Sequence, residues 1–436
     1  MTMSEDSVLR PDPRFLRLDP RPVGHDPWRP SARDWRIAFL VFVVAAVFRL
    51  PGLAYPTEEY FDEVYHAKTA RQYLLGEPPV EWVHPPTAKL LIAAGVWAFG
   101  YEPWAWRLAP AIAGMLLAPV FFLFARRVLP TERAALLATT LLLADGVYLV
   151  QSRIAMTNIF AVLFQVTAAY ALVRSVLEER LTFTGMSMAG LFLGLALSTR
   201  WTSLWTWGFL GLVLLVVRRR RILALREILL TLVAFLLLPL SIYVLSYVPW
   251  MRQGHSPTAM LLTQGDIWNY HAHLNATHPY FSRWWTWPWL YRPTWYFFKN
   301  EGGWTRGILA IGNPALWWAT VPVTVWALVT GFRKRDPRLV FSGTGFCLMY
   351  LPWGISPRTL NYGHYLFEAI PYACLSLGTL LDRHWPRPAA RIFVGVVVFL
   401  FALFLPLYLC LPIPPAWFGA RLLGGPGIWT WFRSWI

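Results

Sequence analysis

Apolar runs recur along this chain from residue 37 to residue 411, separated by short polar connections. A bilayer core needs about 20 consecutive apolar residues in a helix, somewhat fewer where a segment is thin. The pattern predicts spans at about 37–53, 108–126, 133–150, 154–175, 185–199, 202–217, 227–248, 307–331, 339–355, 361–381 and 391–411. Eleven helices starting from a cytoplasmic N-terminus place Arg126-Arg127, Arg218 to Arg221, Arg333-Lys334-Arg335 and the basic residues from Arg383 to Arg391 on the cytoplasmic side, as the positive-inside rule requires. The exported loops are then 54–107 and 249–306. One run, "TAKLLIAAGVWAFG" at 87–100, is short for a span and better suits a helix lying along the outer membrane surface. Counted as a span, it would carry every later basic cluster outside.

Composition agrees with this pattern and narrows it. Hydrophobic residues make up 56% of the chain and charged residues only 14%, so the fold class is an all-α polytopic membrane protein with one integral domain, 36–411. Residues 1–35, rich in Arg and Pro and without a signal-peptide core, are expected to form a disordered cytoplasmic tail, and 412–436 an exported-side tail. The net charge of +16 is spread in short groups between apolar runs, which points to membrane lipids as partners and away from nucleic acid. Cys347, Cys374 and Cys410 lie in apolar segments without metal-ligand spacing and read as packing residues. The second exported loop is crowded with Trp, Tyr and His ("YHAHLNATHPYFSRWWTWPWLYRPTWYFF"), the composition of an ordered segment at the interface.

Against this greasy background, "YFDEVYHAKTARQYL" at 60–74 sets Asp62 beside Glu63 where the first run meets water. The spacing of Tyr60, Tyr65 and Tyr73 predicts an amphipathic interfacial helix with both acids at its start, where the helix dipole favours carboxylates. The default reading of such a pair is a solvated helix end. The other polar residues near the exported face are mostly cations or hydrogen-bond donors: His84, Lys89, Arg107, Arg153, Arg200, Arg358 and His364. Snorkelling accounts for any one of them. Converging beneath two carboxylates, they fit a site for an anionic lipid headgroup with a general base above it. Sugar transfer from a lipid phosphate needs that combination: a base for the acceptor hydroxyl and positive charge for the departing phosphate. A divalent metal is compatible with Asp62, Glu63 and Asp145 but is not required by them.

Other polar residues carry plainer readings. His84 with Pro85-Pro86 reads equally as a rigid turn. Asp145 is expected to pair with Arg153 or be capped by water, and Glu368, inside the tenth span, to be satisfied by a nearby Tyr or His. His271, His273 and His278 have spacing that hints at metal, although packing and hydrogen bonding are commoner uses in so aromatic a loop.

In order along the chain, "FDEVYHAKTARQYLLGE", "WVHPPTAKLLIAAG", "WRLAPAIAG", "LLLADGVYLVQSRIAMTNIF", "GLALSTRWTSLW", "ATHPYFSRWWTWPWLYRPTWYF", "AIGNPALWW" and "YLPWGISPRTLNYGHYL" resemble the motifs of the protein O-mannosyltransferases, glycosyltransferase family 39. The resemblance implies the eleven-helix glycosyltransferase C fold, a polyprenyl-phosphate-linked mannose donor, Ser/Thr acceptors on exported protein and inversion at the anomeric carbon. It also implies a cell-membrane enzyme acting at the extracytoplasmic face. By the same resemblance Asp62 is the catalytic base with Glu63 beside it; Arg107, Arg200, Arg358 and Lys89 bind the donor phosphate; and His84, Arg153, Asn158, His364 and Tyr365 position substrate. Asn158 stands where the family usually has a carboxylate, and Arg200 where it has Lys. The second loop is too short for the inserted domain of eukaryotic members, which points to the prokaryotic type. A lipid or glycan acceptor is the alternative reading, and a transporter or flippase a remoter one, since no paired, broken half-repeats are visible.

Overall fold

The computed structural model describes residues 29–178, 181–219, 224–421 and 427–436. Residues 1–28 of the expected tail, and Arg220-Arg221 of one basic cluster, lie outside the described residues. The first helix, α1 (Ala32–Arg49), begins inside the stretch assigned to the tail. A capping box starts it: Asp34 N–H donates to Ser31 Oγ at 3.1 Å, and Ser31 N–H donates to Asp34 Oδ2 at 2.9 Å.

In the first exported loop lie α2 (Glu63–Leu75) and α3 (Thr87–Phe99). There follow α4 (Pro103–Val128), α5 (Glu132–Leu143), α6 (Gly146–Gln151), α7 (Asn158–Val176), α8 (Phe183–Leu197) and α9 (Ser203–Arg218). Further helical segments cover Leu225–Ser246, Pro314–Lys334, Pro337–Tyr350, Ile370–Thr379 and Arg387–Tyr408. Helix is therefore present in every stretch where apolar periodicity predicts it. Among the described residues, five helices are long and apolar enough to cross a membrane by themselves: α4, α7, Leu225–Ser246, Pro314–Lys334 and Arg387–Tyr408. The helix α7 is central, with 83% of its apolar window buried, whereas Leu225–Ser246 is peripheral at 17%.

Three expectations change. The chain is not purely helical: β1 (Thr294–Glu301) and β2 (Trp304–Ala310) form an antiparallel hairpin, so the helix expected from 307 begins only at Pro314. Gly302 and Gly303, both at positive φ (58° and 79°), make the tight turn that such a hairpin demands. The run 133–150 is broken at Asp145, whose side chain caps α6. The segment expected from 361 starts as a 3-10 turn, Gly363–Glu368, before Pro371 opens the α-helix.

The long second loop is ordered, with a helix at Pro257–His273 ahead of the hairpin. The described part of the C-terminal tail packs on it: Thr305 and Ile413 exchange backbone hydrogen bonds at 2.9 Å, and the Trp435 indole, fully buried, donates to Leu290 O at 2.6 Å.

Polar contacts collect at two ends. At one, Arg126 pairs with Asp34 at 2.7 Å, Arg33 with Glu132 at 2.8 Å, and Thr131 and Arg133 meet Asp382 at 2.6 and 3.5 Å. At the other lie the candidate site residues. The two ends are joined by α4, with Arg107 near its start and Arg126 near its finish. At 1.5 Å per residue the two arginines are about 28 Å apart, close to the thickness of a bilayer core.

Candidate active site

Phe61 introduces the site with a backbone at φ 51°, a left-handed conformation that bulky residues rarely adopt. Its ring stacks on Tyr296 at 4.2 Å and meets the edges of Tyr362, His364 and His278, contacts that hold the chain in this shape. The next residue, Asp62, is the N-cap of α2 but makes no capping bond with its side chain. Among the described residues its carboxylate takes no hydrogen bond or ion pair, and it is only partly covered. Burial first, and then the Glu81 charge, push Asp62 up to about 6, against the pull of Arg358 and Arg200.

Glu63 differs on every count. It is fully buried, with Arg107 Nε and NH2 each donating to its carboxylate at 2.8 Å and the Ala155 amide adding a bond at 3.1 Å. Arg107 sends its remaining donors to the carbonyls of Leu53 (3.1 Å), Pro56 (2.6 Å) and Glu58 (3.1 Å). A guanidinium has five N–H donors, and all five are taken. Arg107, expected at the donor phosphate, clamps the first loop onto α4 in this structure.

Of the other expected cations, one is fully occupied and another in part. Lys89 gives its protons to the Glu81 carboxylate, to Glu81 O at 2.9 Å and to His84 O at 2.7 Å, leaving none for a phosphate. Arg153 donates through one terminal nitrogen, Nη1, to the carbonyls of Phe48, Arg49 and Pro51 at 3.3, 2.6 and 2.8 Å, closing the C-terminal end of α1. Nor does it pair with Asp145. That carboxylate accepts from Tyr148 N at 2.9 Å, Asn313 N at 3.2 Å and the Trp317 indole at 2.6 Å, which makes it a structural cap.

Arg200 and Arg358 remain. Both sit over the ring of Tyr365, at 4.6 and 6.0 Å. Arg200 is oriented by Asn158 Oδ1, which accepts from its NH1, and by Glu368 at 3.7 Å. Glu368 is satisfied by Thr202 (2.7 Å), Gln165 (3.2 Å) and Arg200, not by Tyr or His. Arg358 donates through Nε to Leu360 O at 2.8 Å and through NH1 to His271 Nδ1 at 2.6 Å. Each of these two guanidinium groups keeps a terminal nitrogen, NH2, without a protein partner among the described residues. His364, almost wholly buried, stacks on Tyr362 and lies edge-on to Tyr365 and Tyr296, with no partner for its Nδ1 among the described residues.

The three loop histidines do not gather. His271 Nε2–H donates to Val83 O at 2.9 Å while its Nδ1 accepts from Arg358, which fixes the neutral tautomer; burial, then Arg358, hold it down at about 4. His273 bonds Asn269 O, and His278 the Tyr280 amide. Among the described residues, no group of three or more His, Cys, Asp or Glu side chains is placed to hold a metal ion.

Sequence reasoning missed Glu81. It is buried between His84 Nδ1 at 2.6 Å and Lys89. Burial opposes its charge, but Lys89, His84 and His66 outweigh that and hold its carboxyl well below the usual range. Its one signal in the sequence is an acid set three residues before His84 and eight before Lys89.

Comparison with known proteins covers nearly the whole chain. The family described as "Dolichyl-phosphate-mannose-protein mannosyltransferase" matches residues 39–106 and 102–252, and that described as "C-terminal four TMM region of protein-O-mannosyltransferase" matches 258–423. A polyprenol-phosphate-mannose–protein mannosyltransferase of Mycolicibacterium smegmatis is 28% identical, with 93% of each chain covered. One from Corynebacterium glutamicum is 29% identical over 81% of each. Among solved structures, a chain of the S. cerevisiae protein O-mannosyltransferase Pmt1-Pmt2 complex bound to the sugar donor superposes with a TM-score of 0.77 at 14% identity, covering 88% of this chain and 91% of that one. ArnT from Cupriavidus metallidurans bound to undecaprenyl phosphate gives 0.53 at 20% identity, covering 86% and 65%. At these identities the two structures establish a shared fold.

Proposed function

The chain belongs to the protein O-mannosyltransferase family, and from that premise we propose that it transfers mannose from a polyprenyl-phosphate-linked donor to Ser/Thr hydroxyls of exported proteins. In this reading it is a multi-pass protein of the cell membrane with eleven spans, α3 along the outer surface, membrane lipids around it and the Asp62 end outside. The arginine-rich ends of the helices support that orientation.

The observation that carries the chemistry is the free Asp62 carboxylate in company with two incompletely used guanidinium groups, Arg200 and Arg358. Asp62 takes the proton of the acceptor hydroxyl as its oxygen bonds to the sugar's first carbon. The bond from that carbon to the phosphate oxygen breaks, and the phosphate leaves with its electron pair onto Arg200 and Arg358. A single displacement inverts the anomeric carbon. Tyr365 offers its ring to both guanidinium groups, Asn158 and Glu368 aim Arg200, and His271 aims Arg358. Arg107 and Glu63 keep the loop in register, and His364 lies in the aromatic wall beside Asp62. Positive charge for the leaving group comes from arginine.

Asp62→Asn in purified membranes supplied with polyprenyl-phosphate mannose and an acceptor peptide should lower the rate about a hundredfold to ten-thousandfold, the usual worth of a general base. Near-normal transfer would remove Asp62 from the reaction.

A further inference from the structure

Glu81 is a buried acid that the mechanism above does not use. Its Oε1 lies 2.6 Å from His84 Nδ1, its Oε2 meets Lys89 Nζ and lies 3.9 Å from His66 Nδ1, and its amide donates to Thr69 Oγ1 at 2.9 Å. Asp62, His66 and Thr69 stand at i, i+4 and i+7, on one face of α2. Glu81 meets His66 through its carboxylate and Thr69 through its amide, and so lies along the face that Asp62 begins. Beyond it, the His84 ring packs on His271 at 5.4 Å, and His271 accepts from Arg358 at 2.6 Å. A line of contacts therefore runs from Lys89 through Glu81, His84 and His271 to Arg358, behind Asp62.

We infer that Glu81 is a positioning residue for the transfer: its fixed negative charge keeps Asp62 basic, and its bond to His84 braces the His271–Arg358 pair. The inference rests on Asp62 being the base. The groups facing Asp62 are Glu81, of like charge; Arg358 and Arg200, of opposite charge; and the phenols of Tyr270, Tyr296 and Tyr362. Those facing Glu81 are Lys89, His84, His66, His271 and Asp62, with the phenols of Tyr73, Tyr247 and Tyr270. Lys89, with the His84 hydrogen bond, keeps Glu81 ionised throughout the range in which Asp62 titrates, so its charge acts on Asp62 at every working pH. A like charge disfavours the ionised carboxylate and strengthens it as a base.

The test is the pH dependence of kcat/KM, whose acid limb reports the base of the free enzyme. Glu81→Gln should move that limb to lower pH by about half a unit, while the rate above pH 7 falls by up to about threefold as the base weakens. The ratio of variant to wild-type activity then rises as pH falls, which a general loss of folded protein would not produce. Glu81→Asp, which keeps the charge, should restore the wild-type limb. Because Glu81→Gln strands the Lys89 ammonium, the double variant Glu81→Gln/Lys89→Met removes the buried pair whole and should show the same shift in a well-folded protein. A limb that stays in place in the double variant, with Asp62→Asn inactive, overturns the role of Glu81 alone. An active Asp62→Asn overturns instead the base assignment beneath it.

Discussion

Asp62 and Glu63 are neighbours in sequence and opposites in circumstance. Successive residues of a helix point about 100° apart, so one carboxylate faces the open site while the other turns into the packed interior against Arg107. Removing one partner of such a buried pair strands the other charge. Glu63→Gln and Arg107→Met should each cost about 3–5 kcal/mol, seen as a lower unfolding midpoint in detergent, with activity lost alongside the fold. Asp62→Asn should behave differently. A carboxyl held at about 6, above its ordinary 3.8, binds its proton more tightly in the folded state, so its contribution to stability is full below pH 3.8 and lost as pH rises through 6. At pH 7.5 the variant should therefore melt no lower than the wild type, and this separates a functional carboxylate from a structural one. Both acids are legible in the sequence as a pair at a membrane boundary. Their division of labour is not, because it depends on Arg107 arriving from a residue 44 positions away.

At the scale of elements, apolar periodicity located the helices and failed where a short polar exception overrode it. Asp145 broke one run by capping α6, and Gly302-Gly303, in "NEGGWT", turned another into a hairpin. In α8, Gly190 and Gly194 form a small-xxx-small stripe, and a Cβ on Gly190 would lie 2.8 Å from Ala234 Cα, backbone of the peripheral helix Leu225–Ser246. Close backbone approach is what holds helices together in lipid, where apolar burial offers little drive. Gly190→Val should therefore loosen Leu225–Ser246, read as faster proteolysis of that segment in detergent than in the wild type, whereas the exposed Gly208, with nothing near it, should accept Ala without such an effect.

The molecule as a whole separates its charges onto two ends about one bilayer core apart. If the Asp62 end faces outward, Glu301→Cys, in the hairpin, should react with a membrane-impermeant maleimide in intact cells, and Lys334→Cys only after permeabilisation. Replacing Cys347, Cys374 and Cys410 by Ala provides the background. The opposite labelling pattern would place the site in the cytoplasm.

What the sequence determined by itself was everything carried by composition and period: a helical membrane protein, the placing of its apolar runs, an acidic pair at the first boundary and a family likeness along most of the chain. These are properties of consecutive residues, and the solvent reads them locally. Only the tertiary structure decided which charges are free. Sequence counts seven donors at one face as equivalent, yet Arg107 and Lys89 spend their protons on Glu63, Glu81 and backbone carbonyls and Arg153 turns one nitrogen onto the end of α1, whereas Arg200 and Arg358 keep donors beside Tyr365. A buried ionisable group must find partners where folding puts them, and those partners lie tens of residues away.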